Sequence, residues 1–171
     1  MNYMEAIEQH KIMHENSNIF TGTSLYSHIE EIRNIIEEYN VKTILDYGCG
    51  KASGWLNKNY HEYLGISKEN LYLYDPAYLP HSVFPNKKCD MVICTDVMEH
   101  IPEEYVDMVL NTIINNCNKV IFFNISYKEA KKILPNGYNA HLTIKDENWW
   151  AKKIKKCLGI KNISIKGINI D

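Results

Sequence analysis

The stretch from residue 41 to residue 55 constrains the chain most. Residues 41–45 are a β-branched, apolar run of strand length that ends in Asp46, and Gly48 and Gly50 follow at once. A strand, a glycine loop and a helix are predicted in that order. Such a loop turns backbone N–H groups toward a ligand, and its glycines leave no side chains in the way. The dinucleotide fingerprint Gly-x-Gly-x-x-Gly is not met, because Ser53 stands at the third glycine and Gly54 one place later. Asp46 also disfavours a pyrophosphate and favours a ligand carrying positive charge. The alternative is an ordinary strand-to-helix turn that uses glycine for its positive φ.

A chain of 171 residues supports one domain with a substantial core. Its apolar share of 45% and charged share of 23% are those of a globular protein. A net charge of −2 selects neither for nor against an anionic partner. Cys49, Cys89, Cys94, Cys117 and Cys157 are scattered and lack any Cys-x-x-Cys pair, so no disulfide framework or zinc site is expected. No signal pattern opens the chain, and no apolar run reaches the ~20 residues of a membrane span. A cytoplasmic protein without membrane contact is expected.

Residues 1–23 read as polar and mixed. His10 and His14 stand one helical turn apart, a spacing that suits two metal ligands on a helix. No further Cys/His cluster accompanies them, so an exposed or capping pair is expected and no metal. From Leu25 to Tyr39 apolar residues recur at helical steps, with Ser24 as a candidate cap and Asn40 closing the helix. Residues 52–63 read as a short helix, and residues 71–74 as a second strand ending in Asp75-Pro76. In a nucleotide-type fold an acid at that place can accept both ribose hydroxyls. The other reading is a turn carboxylate. Fourteen residues separate Asp75 from Asp90, with Pro80 and Pro85 among them, so the usual third strand is short or missing.

Residues 90–94 form another apolar run, followed by Thr95-Asp96-Val97-Met98-Glu99-His100-Ile101-Pro102. Pro102 suits the first turn of a helix over the next residues, with Glu103 and Glu104 at its positive end. Residues 119–125 are a buried strand, residues 127–134 a short helix, and Pro135-Asn136-Gly137 a turn. Trp150, Ile154, Cys157 and Leu158 make a core-facing stripe, which leaves Trp149 free to line a pocket. Lys152, Lys153, Lys155 and Lys156 surround the exposed side of that helix. Residues 162–165 and 167–170 alternate like strands and are expected to close the sheet edge as a hairpin.

Asp46-Tyr47-Gly48-Cys49-Gly50, with Ala52 in place of a third small residue, resembles the first motif of the class I S-adenosylmethionine-dependent methyltransferases. The loop Asp96-Val97-Met98-Glu99-His100-Ile101-Pro102 resembles a second motif of that family. The run from Ala130 to Thr143, with Trp149-Trp150 behind it, is similar to a small bacterial and phage branch. The resemblance covers about residues 25–171 and implies a Rossmann-like, doubly wound α/β fold with a mostly parallel sheet. Residues 1–24 would then be a flap near the cofactor cleft, with Met13, His14, Phe20 and Ser24 as contacts.

The resemblance further implies a methyltransferase holding S-adenosyl-L-methionine through Asp46, Tyr47, Gly48, Cys49, Gly50, Asp75, Pro76, Thr95, Asp96 and Val97. Asp96 could equally cap the following turn. His141 and then His100 are the candidate bases, and Asn139, Trp149 and His14 the candidate acceptor contacts. No motif for methylating exocyclic base amines follows the Asp90 strand. The small size favours a small-molecule or glycan acceptor, with RNA or DNA on the lysine-rich helix, or a non-catalytic binding protein, as the alternatives.

Overall fold

A computed structural model describes residues 1–16 and 18–170. Helix α1 (Tyr3–His14) is followed by a 3₁₀ turn (Ser24–His28) that runs into α2 (Ile29–Glu38). Then come β1 (Ile44–Tyr47), α3 (Ser53–Asn57), α4 (Tyr60–Tyr63), β2 (Leu71–Tyr74) and β3 (Cys89–Thr95). The chain continues as α5 (Val106–Asn115), β4 (Cys117–Asn124), α6 (Glu147–Leu158) and β5 (Ser164–Lys166). The strands form one sheet of order β2-β1-β3-β4-β5, and every pairing is parallel.

Strand register sorts the core into two layers. Ile44, Met91, Ile93, Val120 and Phe122 face one side and pack on Ile32, Ile35, Ile36, Trp55 and Tyr60 from α2, α3 and α4. Leu45, Val92, Ile121 and Phe123 face the other and meet Val109, Leu110 and Ile113 of α5 and Trp150 and Ile154 of α6. Side chains alternate across a strand, so central strands covered on both faces must be apolar throughout. That is why β3 and β4 read as continuous apolar runs. Asn40 ends α2 at φ 46°, with Val41 N–H donating to Ile36 O and Asn40 N–H to Glu37 O, a Schellman closure that turns the chain toward β1.

The chain passes from β1 to β2 on one side and returns to β3 on the other. The crevice at the carboxyl ends of β1 and β3 is therefore the topological switch point. The third strand is missing, as its short segment predicts: residues 76–88 contain only the 3₁₀ turn Leu79–His81 and leave β2 at the sheet edge.

Four local expectations are corrected. The C-terminal hairpin does not form; β5 pairs parallel to β4, and the chain turns at Gly167 (φ 80°), burying Ile168 in the α5–α6 layer. Residues 127–134 are not helical but irregular, and bridge back through Ile133 and Asn139. The helix expected over 52–63 breaks in two at Asn59, which sits at φ 53°. Ser24 lies inside the 3₁₀ turn and makes no cap bond. Residues 1–16, read as mixed, hold a capped helix: Asn2 Oδ1 accepts from Glu5 N–H while Glu5 Oε2 accepts from Asn2 N–H.

A Cβ at Gly167 would stand 2.1 Å from Phe123 O, on a backbone that L side chains rarely adopt. Gly167→Ala should therefore lift β5 and lower stability by about 2 kcal/mol, read as a reduced urea midpoint at unchanged slope.

Candidate functional site

The crevice opens into a cleft of about 880 Å³. Its floor is built by three loops at the carboxyl ends of β1, β2 and β3, which bring Gly48, Gly50, Asp75, Pro76, Thr95, Asp96 and Val97 to the lining. Its roof is α1, through Tyr3, Ala6, Ile7, His10 and His14. One wall is the 126–141 segment, contributing Ser126, Ala130, Lys132, Ala140 and His141.

Roof and floor are tied by residues 20–22. Lys51 N–H donates to Phe20 O (2.9 Å), Ser53 N–H to Thr21 O (2.9 Å) and Gly54 N–H to Gly22 O (3.2 Å), while Lys51 Nζ reaches Asn16 O and Ile19 O. The crossing requires glycine, because a Cβ at Gly22 would lie 2.2 Å from Cys49 O. Gly48 is equally tight against the Val97 side chain.

Asp75 is buried and aimed at this floor. Its Oδ2 accepts from Gly50 N–H (2.9 Å) and its Oδ1 from Ala77 N–H (2.8 Å). Burial raises its pKa, and those two backbone bonds oppose the rise. A carboxylate offers about four acceptor sites, so these two bonds leave capacity for a hydroxyl donor from the cleft. His14 Nε2 lies 3.9 Å from Asp75 Oδ1, but burial lowers the His14 pKa to about 4, so this contact is not an ion pair near neutrality. His14 stacks on Tyr78 and packs against Phe20, extending an aromatic roof.

A chain of rings crosses the cleft. His10 Nδ1 meets Ala6 O at 2.8 Å, and because a carbonyl only accepts, this nitrogen carries the proton. His10 Nε2 is therefore the acceptor in its 3.1 Å contact with His100 Nδ1, which also donates to Ala140 O (2.8 Å). Burial, with His10 and His141 nearby, lowers the His100 pKa to about 3, so the neutral ring keeps its lone pair on Nε2. His141 Nδ1 donates to Lys128 O (2.5 Å), and the ring stands edge-on to His100 with centroids 4.9 Å apart. Glu99 is fully buried beside them; its Oε1 accepts from Ser126 N–H (3.0 Å), its Oε2 has no partner, and burial pushes its pKa up to about 8.

Several predicted site residues lie elsewhere. Tyr47 and Cys49 are core residues behind the loop. Asp46 is not among the lining residues either: its Oδ2 accepts from Trp55 Nε1–H (2.6 Å) beneath the glycine loop, which it braces. Asn139 is spent on its own segment, accepting from Ala130 and His141 N–H and donating to Ala130 O. Trp149 stacks edge-on against Trp150 and lies under Lys145 and Lys153, away from the cleft. Met13 packs with Leu134 and Ala140 in a small core, whereas Phe20 and Ser24 do line the cleft. His10 and His14, expected as an exposed or capping pair, are buried in the roof, where His14, also a candidate acceptor contact, lines the cleft. The signal for that roof was the Asn2-x-x-Glu5 capping box; its buried stripe, Ala6, His10, Met13 and His14, is half histidine and so shows no apolar period.

An open parallel α/β sheet, a glycine loop after β1, a buried acid after β2 and a cleft at the switch point define a protein of the nucleotide-cofactor-binding class. The sequence model of a methyltransferase-domain family matches residues 25–152, and the chain belongs to that family, the class I S-adenosylmethionine-dependent methyltransferases. No curated protein matches the chain. It is a methyltransferase enzyme, and its cofactor is S-adenosylmethionine. The cleft fits that cofactor, having side-chain-free loop positions at Gly48 and Gly50 and a buried carboxylate with acceptor capacity to spare. Among the described residues no helix is long and apolar enough to cross a membrane.

Asp46 supplies a test of the loop's foundation. Burial, opposed by the Trp55 bond and reinforced by Asp75, raises its pKa from 3.8 to about 7. Between those values the folded protein holds a proton that the unfolded chain releases, so this group's contribution to stability falls as pH rises through that window. Asp46→Asn keeps the acceptor for Trp55 and cannot titrate. Its stability relative to wild type should rise from pH 4 to about pH 7 and level off above, as measured by urea unfolding across that range.

Proposed function

We propose that this methyltransferase acts on a small molecule or glycan, with residues 25–171 as the catalytic domain and residues 1–24 as its flap. The supporting observation is the cleft itself: about 880 Å³, roofed by α1, within the range of small-molecule sites. A cleft of this size roofed by a helix suits a small acceptor better than a duplex or folded RNA. The lysine-rich helix gives the nucleic-acid reading little support, since Lys153 and Lys156 both pair with Asp107 at 2.8 and 2.7 Å and α6 lies away from the cleft.

When bound, the cofactor supplies an activated methyl group on a sulfonium whose sulfur departs as a neutral thioether. In this reading Asp75 accepts the ribose hydroxyls, Pro76 and Gly48 set the floor, and Thr95, Asp96 and Val97 lie beside the reacting end. Asp96 is held at φ 55°, its Oδ1 accepting from Asn124 Nδ2–H at 2.7 Å, which fixes the loop that carries it. Alignment and exclusion of water by the α1 roof are the protein's main contributions to a substrate already activated. An alcohol acceptor must also lose a proton. His141 and His100 each have Nδ1 committed to a backbone carbonyl, which leaves Nε2 to receive it.

Calorimetric titration of S-adenosylmethionine tests the assignment of Asp75. Wild type should bind, and Asp75→Ala should bind about tenfold to a hundredfold more weakly, as loss of hydrogen bonds to a charged acceptor implies. Equal affinity would remove Asp75 from the ribose role.

A further inference from the structure

Glu99, His100 and His141 come from two loops, one after β3 and one after β4, yet one potential ligand atom from each lies within 4.8 Å of the other two. The bonding around them is unusual for a merely packed cluster. Each side chain has one polar atom anchored by the backbone: Glu99 Oε1 by Ser126 N–H, His100 Nδ1 by Ala140 O, and His141 Nδ1 by Lys128 O. Each keeps its second atom out of those bonds. For the fully buried Glu99 that atom, Oε2, has no hydrogen-bond partner at all. A buried carboxylate oxygen without a partner costs free energy that a cation would recover.

Imidazoles whose far nitrogen donates to a carbonyl, leaving the near one as a lone pair, are how proteins prepare histidine for metal. His10 extends this arrangement, since its Nε2 accepts from His100 Nδ1 and its own Nδ1–H is fixed on Ala6 O. All three candidate ligands line the cleft.

We propose that Glu99 Oε2, His100 Nε2 and His141 Nε2 bind one divalent transition-metal cation, such as Zn²⁺, Co²⁺ or Mn²⁺, on the cleft wall. Two imidazoles and one carboxylate suit such ions better than Mg²⁺, which prefers oxygen ligands alone. Ligand atoms arranged tetrahedrally around one ion at ~2.1 Å lie roughly 3.4 Å apart, so binding requires the trio, now within 4.8 Å, to close by up to about 1.4 Å. Three protein ligands leave coordination positions for a further ligand. An oxygen of the methyl acceptor is the natural further ligand, and the cation, which commits the two Nε2 lone pairs, would then replace them in easing the loss of that oxygen's proton; this statement rests on the methyltransferase reading of the cleft, whereas the metal site itself does not. The acceptor class is thereby narrowed to molecules presenting a hydroxyl or carboxylate oxygen beside the atom to be methylated.

The test is titration of the full-length, chelator-treated protein with Co²⁺, read by visible absorption, and with Zn²⁺ and Mg²⁺, read by calorimetry. One equivalent of Co²⁺ and of Zn²⁺ should bind, with Mg²⁺ at least tenfold weaker. Glu99→Gln keeps the Ser126 bond and His141→Ala changes a half-buried residue; each should weaken Zn²⁺ at least tenfold. His10→Ala, which removes the support of His100 together with a roof contact to Phe20, should cost less, and His28→Ala nothing. Circular dichroism should stay at the wild-type signal for all four variants, and S-adenosylmethionine affinity at the wild-type value for Glu99→Gln and His28→Ala, showing an intact fold and cofactor site. Absence of metal binding to the folded wild type, or binding indifferent to both Glu99→Gln and His141→Ala, overturns the proposal. Metal binding retained in a protein that does not bind S-adenosylmethionine would instead overturn the cofactor assignment and leave the metal site standing.

Discussion

The crossing of residues 20–22 over the glycine loop is the interaction on which the cleft depends. Three backbone donors at the start of α3, from Lys51, Ser53 and Gly54, are satisfied by Phe20, Thr21 and Gly22 carbonyls. Helix starts leave such donors unpaired, and in many folds a ligand anion takes them. Here they are consumed by the protein's own chain, which fixes where α1 must lie and makes the floor unsuited to an anionic ligand. The sequence preference of Asp46 for a positively charged ligand is thus reached by a different route: the carboxylate is hidden under the loop, and the donors above it are capped.

The same logic governs the electrostatics. Asp46, Asp75, Asp96 and Glu99 cluster around the carboxyl ends of the strands, and burial raises the pKa of each. Burial is the largest cause in each case, and a positive charge entering the region would oppose the rise. A sulfonium cofactor brings such a charge. The histidines answer in kind: His10, His14 and His100 all have lowered pKa values from burial, so the roof is neutral and adds no repulsion of its own.

Much of this was legible in the sequence. Continuous apolar runs marked β1, β3 and β4 because strands covered on both faces cannot alternate, and the fourteen residues between Asp75 and Asp90 left no room for a third strand. The glycine loop and the Asp96–His100 stretch located the cleft. What escaped were features that depend on pairing across the fold. Residues 162–170 alternate like two strands, but only Ser164–Lys166 find partners in β4, and the chain then turns at Gly167, where a Cβ would meet Phe123 O. Asn139 and Trp149 carry side chains suited to ligands, yet their donors and faces are absorbed by Ala130, His141 and Trp150. The roof escaped because a buried stripe rich in histidine has no hydropathic signature.

The missing third strand also bears on how the molecule behaves at high concentration. Its loss makes β2 an outer strand, with unpaired backbone groups that could template another chain. β2 is only four residues long, and Lys87 is held against it by a bond from Nζ to Tyr72 OH, while Phe84 packs on Tyr74. At the opposite edge β5 spans three residues before Gly167 bends the chain away. Short and abruptly ended margins of this kind offer another strand little backbone to pair with, which disfavours edge-to-edge polymerisation of the sheet.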